Sequence, residues 1–236
     1  MRQDSGVFIL RHDVDSPFVY RKNLFKKIMN RVYLSKPKLP GKEHLPGYHE
    51  ALRNTLELEE KYNAKGTFFF RTVTCPPPDL VKKIINDKHE IAYHADQIGT
   101  FQEFHDDLKK IREDTMYPIQ GFTKHGIAKV RSGGPWDEKK MVEYAHLANL
   151  KYLAQGVFHP DWEKPQLVNG VFLFGHHLTI KDSKIDELIK YLDSHTLPML
   201  LLHPEDLFIE GVKEKFIKIL KFAKAISVEE ALNQLT

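Results

Sequence analysis

The sequence is short of cysteine, of long hydrophobic runs and of excess charge, and each shortage excludes a class of protein. Cys75 is the single cysteine among 236 residues, which excludes an internal disulfide and favours a reducing compartment. No run approaches the ~18 apolar residues of a membrane span, and the N-terminus lacks the apolar core of a signal peptide. The 35 basic and 32 acidic residues nearly cancel, so no nucleic-acid partner is indicated. We therefore expect a soluble, cytoplasmic protein with neither a nucleic-acid nor a membrane partner.

What the sequence does contain is an alternation of short apolar runs with longer amphipathic stretches. This alternation is typical of βα units, and an apolar share of 42% is enough for a substantial core. The seven predicted strands are Val7–Leu10, Gly66–Phe70, Glu90–Tyr93, Gln120–Thr123, Tyr152–Ala154, Val171–Phe174 and Met199–Leu202. The pattern predicts a single α/β domain over residues 1–236. A loop or helical excursion interrupts it at about 18–62, where three prolines lie between residues 31 and 50.

Helical spacing is visible in three of the stretches between or after the strands. In the first stretch the spaced positions are Phe104, Leu108, Ile111 and Thr115. In the second they are Trp136, Lys140, Met141, Tyr144 and Leu147. In the third, Ser227 and Glu230 are three residues apart, as in a capping box, which predicts a final helix beginning there.

The stretch "FILRHDVDS", residues 8–16, sets two aspartates two positions apart directly after an apolar run. If the strand continued to Asp15, then Asp13 and Asp15 would lie on the same face. Two carboxylates that close repel each other unless a positive group lies between them or one of them is protonated. A turn after a strand is the simpler interpretation of the stretch alone.

Polar residues of the same kinds follow most of the other predicted strands. Beyond the first strand, the residues at strand ends are Arg71, His94, His125, His176, His177 and His203. Because the carboxyl ends of parallel strands lie on one face of the fold, we expect these side chains to converge there. Aspartate together with neutral histidine suits zinc, cobalt or nickel better than calcium. Three such ligands and a water molecule form the usual catalytic arrangement, in which one aspartate binds the metal and the other accepts a proton.

The segments "LRHDVD", "KGTFFF", "KHEIAYH", "LLLHP" and "ISVEEAL", in this order, resemble the polysaccharide deacetylase family, the NodB-homology carbohydrate esterases. The resemblance runs from residue 7 to about residue 232. It implies a distorted (β/α) barrel of about seven parallel strands. It also implies metal-dependent hydrolysis of an N-acetyl or O-acetyl group, commonly on a sugar.

Individual roles follow from the matching motif positions. The resemblance makes Asp13 the general base, Asp15 and His94 metal ligands, and His203 the general acid, oriented by a neighbouring carboxylate. The sequence departs from the family where a second metal histidine is usual, because that position is Ile98. The family's arginine-proline motif after the fourth strand is also missing.

His125 is the best candidate for the third metal ligand, and three other histidines are alternatives. These are His12, His176 and His177. For substrate binding we name Arg71, Arg131 and His176. Trp136 is a further candidate, for stacking on a sugar, although it and Trp162 could equally be core residues.

The sequence therefore predicts a hydrolase with one divalent transition metal, zinc or else cobalt or nickel. It would remove an acyl group, specifically N-acetyl, from a sugar or a related small polar substrate, breaking a carbon–nitrogen bond. Two alternatives stay open. One is a catalytically silent deacetylase-like domain that binds a carbohydrate or a protein. The other is a metal-dependent carbon–nitrogen hydrolase of a non-sugar metabolite.

Overall fold

The computed structural model describes residues 6–15, 48–125, 137–154, 164–175 and 177–235. Its ten strands are β1 Val7–Val14, β2 Thr67–Phe70, β3 Glu90–Ala95, β4 Gly121–Lys124, β5 Tyr152–Ala154, β6 Gln166–Val168, β7 Val171–Phe174, β8 Leu178–Thr179, β9 Met199–Leu201 and β10 Lys224–Ile226. The helices are α1 Tyr48–Lys61, α2 Pro78–Asn86, α3 Phe101–Thr115, α4 Glu138–Leu147, α5 Ile185–Ser194, α6 Val212–Phe222 and α7 Val228–Leu235. Short 3-10 turns cover Thr72–Thr74 and Pro204–Phe208.

The strands form one curled sheet in the order β6-β7-β5-β4-β3-β2-β1-β9-β8. Strand β10 lies outside this order and pairs in parallel with the first residues of β1. Among the strands described, β6 and β7 form the one antiparallel pair. The predicted α/β class and the distorted parallel barrel are confirmed, with the sheet curled into a half-barrel.

The described residues form ten strands, somewhat more than the about seven that were predicted. All seven predicted strands are present, and the additional strands are β6, β8 and β10. Each additional strand has two or three residues, which is too short to show a hydrophobic period in the sequence. The first strand also runs four residues further than predicted, to Val14.

The predicted helices are confirmed with small differences in their burial. Helix α3 buries the four residues that the spacing selected, and in α4 the buried residues include Met141 and Tyr144. Leu147 was expected on the apolar face of α4, but its side chain is 56% exposed. At α7, the Ser227 hydroxyl accepts a hydrogen bond from the backbone N–H of Glu230. Helix α1 lies inside the predicted excursion, whereas residues 16–47 lie outside the described part of the chain.

One face of the sheet carries an apolar cluster at the amino ends of the strands and polar residues at the carboxyl ends. Ile9 and Phe69 belong to this cluster, which also contains Ala231 and Leu232 of α7. By the alternation of strand side chains, Arg11 and Asp13 share the face of Ile9, and His94 shares the face of Ala92. Helix α7 therefore packs at the amino ends of the strands, and the polar residues collect at the carboxyl ends. None of the helices described is long and apolar enough to cross a membrane.

Glu90, the first residue of β3, is a buried carboxyl group at the amino ends of the strands, with 1% of its surface exposed. It accepts hydrogen bonds from the Thr67 hydroxyl (2.7 Å), the Tyr152 hydroxyl (2.8 Å) and the backbone N–H of Glu229 in α7 (2.9 Å). Burial raises the pKa of Glu90 to about 7 although these three hydrogen bonds lower it. Glu90 thus joins β2, β3, β5 and the first turn of α7.

The free energy of unfolding is expected to fall as pH rises from 5 to 8, because ionised Glu90 is unfavourable in the folded protein. A folded-state pKa above the ordinary value means that the folded chain binds the proton more tightly, so the stabilisation is complete at low pH and is lost as pH rises towards 7. Between pH 5 and pH 8 we expect the free energy of unfolding to decrease by up to about 3 kcal/mol more in the wild type than in Glu90→Gln. Urea unfolding at both pH values measures the difference, and equal decreases would contradict the expectation.

Candidate active site

Three of the residues predicted as metal ligands meet at the carboxyl ends of β1, β3 and β4. Asp15 Oδ1 lies 2.8 Å from His94 Nε2 and 3.2 Å from His125 Nδ1. The two imidazole nitrogens are 3.1 Å apart. Donor atoms from residues that span more than 100 positions of the sequence therefore converge on one point, as expected from the predicted parallel arrangement of the strands.

These three side chains fit a divalent transition metal ion. They offer one carboxylate oxygen and two imidazole nitrogens, all within 4.8 Å of one another. This donor set suits zinc, cobalt or nickel, and three protein ligands are the number usual at a catalytic zinc site. Burial raises the pKa of Asp15, but hydrogen bonds from His125, His203 and His94 outweigh it and hold that pKa well below its ordinary value. Asp15 is therefore ionised, as a ligand must be.

Ile98 occupies the core and not this site. Its side chain is 1% exposed and belongs to the apolar cluster that contains Phe104 and Leu108 of α3. The segment between β3 and α3 is not helical, so a residue four positions after His94 does not share its face. His125 comes instead from the neighbouring strand. His94 pairs with Thr123 in register, so His125, two residues further on, lies on the same face as both.

Asp13 is held by Arg11, a residue that was not predicted as part of the site. Arg11 donates from Nε to Asp13 Oδ1 and from Nη2 to Asp13 Oδ2, both at 2.7 Å, and its side chain is 3% exposed. Burial raises the pKa of Asp13, but the guanidinium group and His94 lower it to about 2. Asp13 Oδ2 lies 3.9 Å from His94 Nε2. Asp13 is thus an ionised carboxylate beside the three donor atoms.

His203 follows the end of β9 and approaches Oδ2 of Asp15. Its Nε2 is 3.4 Å from Asp15 Oδ2, and its Nδ1 is 3.1 Å from Oδ2 of the buried Asp206. Burial lowers the pKa of His203, but the two aspartates outweigh it and raise that pKa to about 11. His203 is therefore protonated at neutral pH, and Asp206 is a carboxylate beside its Nδ1.

Asp13, Asp15 and His203 form a second group of donor atoms within 4.8 Å. Both oxygens of Asp13 accept hydrogen bonds from Arg11, and His203 carries a positive charge beside Asp15. Two cationic side chains at this position repel a second metal ion. The arrangement therefore supports one metal ion, bound on the His94 side of Asp15.

Of the four residues predicted to bind substrate, the structure describes Arg71 alone. Arg131, Trp136 and His176 lie outside the described residues. Arg71 lies beside the site, where its Nε donates to Asp96 Oδ2 at 2.7 Å and its Nη1 donates to the carbonyl of Asp15 at 2.5 Å. Its substrate-binding role stays a prediction, and two of its donors are engaged within the protein.

The alternative ligands His12 and His177 are not part of the donor group. His12 is fully buried on the opposite face of β1, with Nδ1 2.9 Å from the carbonyl of Leu202 and Nε2 2.6 Å from Glu59 Oε1. A carbonyl oxygen only accepts, so Nδ1 of His12 donates to the carbonyl of Leu202. His177 belongs to neither of the donor groups that the described residues form.

No protein-family model matches the chain, and no curated protein sequence does. Solved structures do match it. A protein of Mycobacterium smegmatis assigned as a polysaccharide deacetylase aligns with a TM-score of 0.66 at 14% identity, over 99% of this chain and 91% of that one. The chain has the fold of the polysaccharide deacetylases. Because the identity is low, the likeness establishes the fold alone.

Two further solved structures with the deacetylase fold are an esterase and a pseudoenzyme. A family 4 acetyl xylan esterase from Clostridium thermocellum, in complex with a cobalt ion, aligns with a TM-score of 0.51 at 12% identity, over 97% of this chain and 91% of that one. A CE4 family pseudoenzyme from Bacillus anthracis aligns with a TM-score of 0.53 at 16% identity, over 98% of this chain and 66% of that one. The deacetylase fold thus occurs in a metal-bound esterase and in a pseudoenzyme.

The sequence did not predict two contacts in this fold, that of Arg11 with Asp13 and that of Asp206 with His203. Arg11 could have been predicted as a partner of Asp13, because residues 11, 13 and 15 lie on the same face of an extended chain. Asp206 is three residues after His203, within reach in a 3-10 turn, and a search for a partner of His203 would have found it.

Proposed function

We propose that this protein is a metal-dependent hydrolase that removes an N-acetyl group from a sugar or a related small polar substrate, as a divergent polysaccharide deacetylase. The observation that carries the proposal is the convergence of Asp15, His94 and His125 on one point. The deacetylase fold and the cobalt ion in the similar acetyl xylan esterase support it. Zinc is the proposed metal, and cobalt or nickel would fit the same donors.

In the proposed reaction Asp13 accepts a proton from the attacking water molecule. Arg11 orients its carboxylate and keeps it ionised at neutral pH. The same contact makes Asp13 a weak base, because its pKa is about 2. A divalent cation held by Asp15, His94 and His125 would lower the pKa of the water towards ~7 and polarise the acyl oxygen, so a weak base would suffice.

His203 then donates a proton to the departing amine, which collapse of the tetrahedral intermediate requires. Its high pKa keeps it protonated at neutral pH, and Asp206 fixes its ring through Nδ1 while Nε2 faces the site. Asp13 and His203 are different side chains that both lie beside Asp15, so the proton acceptor and the proton donor are separate groups. That separation is what hydrolysis of an amide requires.

Metal content and acetate release test the proposal together. The protein would be purified without added metal, loaded with zinc or cobalt, and incubated with N-acetylglucosamine oligosaccharides while acetate is measured. We expect about one equivalent of metal per chain, its loss in Asp15→Ala, and release of acetate. Failure to bind metal, even with zinc or nickel in excess, would refute the proposal that the protein is a metal-dependent hydrolase.

The pseudoenzyme of similar fold makes a silent binding domain the second candidate. A chain that binds these oligosaccharides but no metal would be such a domain. Metal binding without acetate release would point to a different acyl group. Formamide and acetamide substrates that carry no sugar would then separate a carbon–nitrogen hydrolase of other metabolites from a sugar deacetylase.

A further inference from the structure

The end of β1 is held by the 3-10 turn that follows β2. Strand β1 ends at Val14, so Asp15 lies beyond the sheet pairing that fixes the residues before it. The hydroxyl of Thr74 donates to the carbonyl of Val14 at 2.7 Å, and Arg71 Nη1 donates to the carbonyl of Asp15 at 2.5 Å. Two consecutive carbonyls are thus held by one short turn, immediately behind the Asp15 carboxylate.

Arg71 also reaches the segment after β3. Its Nε donates to Asp96 Oδ2 at 2.7 Å, and the two side chains are only 10% and 15% exposed. Asp96 directly follows Ala95, the last residue of β3, and is two residues beyond His94. One guanidinium group therefore connects the backbone of Asp15 to the strand end that carries His94.

The shape of the arginine side chain suits this contact. The guanidinium group is planar, and its Nε and Nη1 donors are fixed relative to each other, so the two acceptors are fixed relative to each other as well. A lysine ammonium group at the end of a flexible stem does not impose that relation. A pair as buried as this is also less screened by solvent than an exposed salt bridge.

We propose that Arg71 is a positioning residue that sets the placement of Asp15 relative to His94, and through it the affinity for metal. The inference rests on the proposed function, because it gives Arg71 its effect through two of the proposed ligands. A functional site tolerates displacements of only about 0.5 Å, so loss of the Arg71 contacts would be felt at the donor atoms. Residues that support metal ligands in this way typically change affinity by about 10-fold to 100-fold.

The test compares Arg71→Met, Arg71→Lys and Asp96→Ala with the wild type. Zinc affinity would be measured by competition with a chromogenic chelator, and the visible spectrum of the cobalt-loaded protein would report the coordination geometry. We expect all three variants to lose roughly 10-fold to 100-fold in zinc affinity and to change the cobalt spectrum. Asp96→Asn keeps an acceptor for Arg71 Nε, so it should lie closer to the wild type than Asp96→Ala.

Arg53→Met is the matched control. Arg53 forms an ion pair with Asp79 at 2.5 Å, but those side chains are 48% and 59% exposed on α1 and α2, outside the donor group. It should leave zinc affinity and the cobalt spectrum unchanged. Wild-type affinity and spectrum in Arg71→Lys and Asp96→Ala would overturn the role of Arg71. A wild-type protein that binds neither metal would instead refute the proposed function.

Discussion

Replacing His125 by alanine is expected to abolish tight binding of a transition metal ion. The substitution leaves two protein ligands, Asp15 and His94, where a catalytic site uses three. We expect zinc affinity to fall by at least the ~100-fold that loss of a supporting residue alone can cost. Competition with a chromogenic chelator would measure the affinity, and far-ultraviolet circular dichroism would check the fold.

Ile98→His provides the matched comparison, because it places a histidine four residues after His94, where the resemblance led us to expect a second metal histidine. Ile98 packs against the α3 cluster and lies in a non-helical segment. We therefore expect that adding Ile98→His to His125→Ala does not restore zinc binding, and that it costs stability by placing a polar ring in the core. Restoration of tight binding by this second substitution would show that His125 is not the third ligand.

Replacing Asp13 by asparagine is expected to stop catalysis while leaving metal in place. Asparagine keeps an acceptor oxygen for Arg11 but cannot take a proton, and proton transfer by a positioned side chain typically contributes about 10²-fold to 10⁴-fold to the rate. We expect acetate release to fall by roughly that factor. Metal content of the zinc-loaded variant should remain at about one equivalent per chain.

Asp15→Asn is the companion variant, because it tests a proposed ligand two residues further along the chain. It should lose metal and acetate release together, whereas Asp13→Asn should lose acetate release alone. Urea unfolding of both variants would separate a loss of function from a loss of fold. An Asp13→Asn variant that deacetylates at the wild-type rate would exclude Asp13 as the base.

The sequence predicted seven of the strands but placed the end of β1 four residues too early. The apolar run stops at Leu10, yet the strand continues through Arg11, His12 and Asp13, all of them buried. Buried charges in a strand require partners, and here Arg11 pairs with Asp13 while His12 pairs with Glu59 of α1. Glu59 lies 47 residues further along the chain, so no local pattern could reveal it.

The convergence of the candidate metal ligands was predictable because strand-end position is a strong constraint in a parallel fold. His125 was selected by its place after the fourth strand, and its Nδ1 lies 3.2 Å from Asp15 Oδ1. Arg71 shows the limit of that reasoning. Its position after β2 placed it beside the site, but its hydrogen bonds to Asp96 and to the carbonyl of Asp15 depend on backbone paths that a sequence pattern does not specify.

The pairing of β1 has a consequence for the order in which the chain folds. Its first residues pair with β10 and its middle residues with β9, both close to the far end of the described chain, and only its last residues pair with β2. During synthesis the first residues of β1 therefore lack their sheet partners until β9 and β10 have been made. An unpaired apolar strand edge is prone to aggregate. Such distant pairings slow folding. The contact between Asp15 and His203, which follows β9, therefore forms only after most of the described chain has been synthesised.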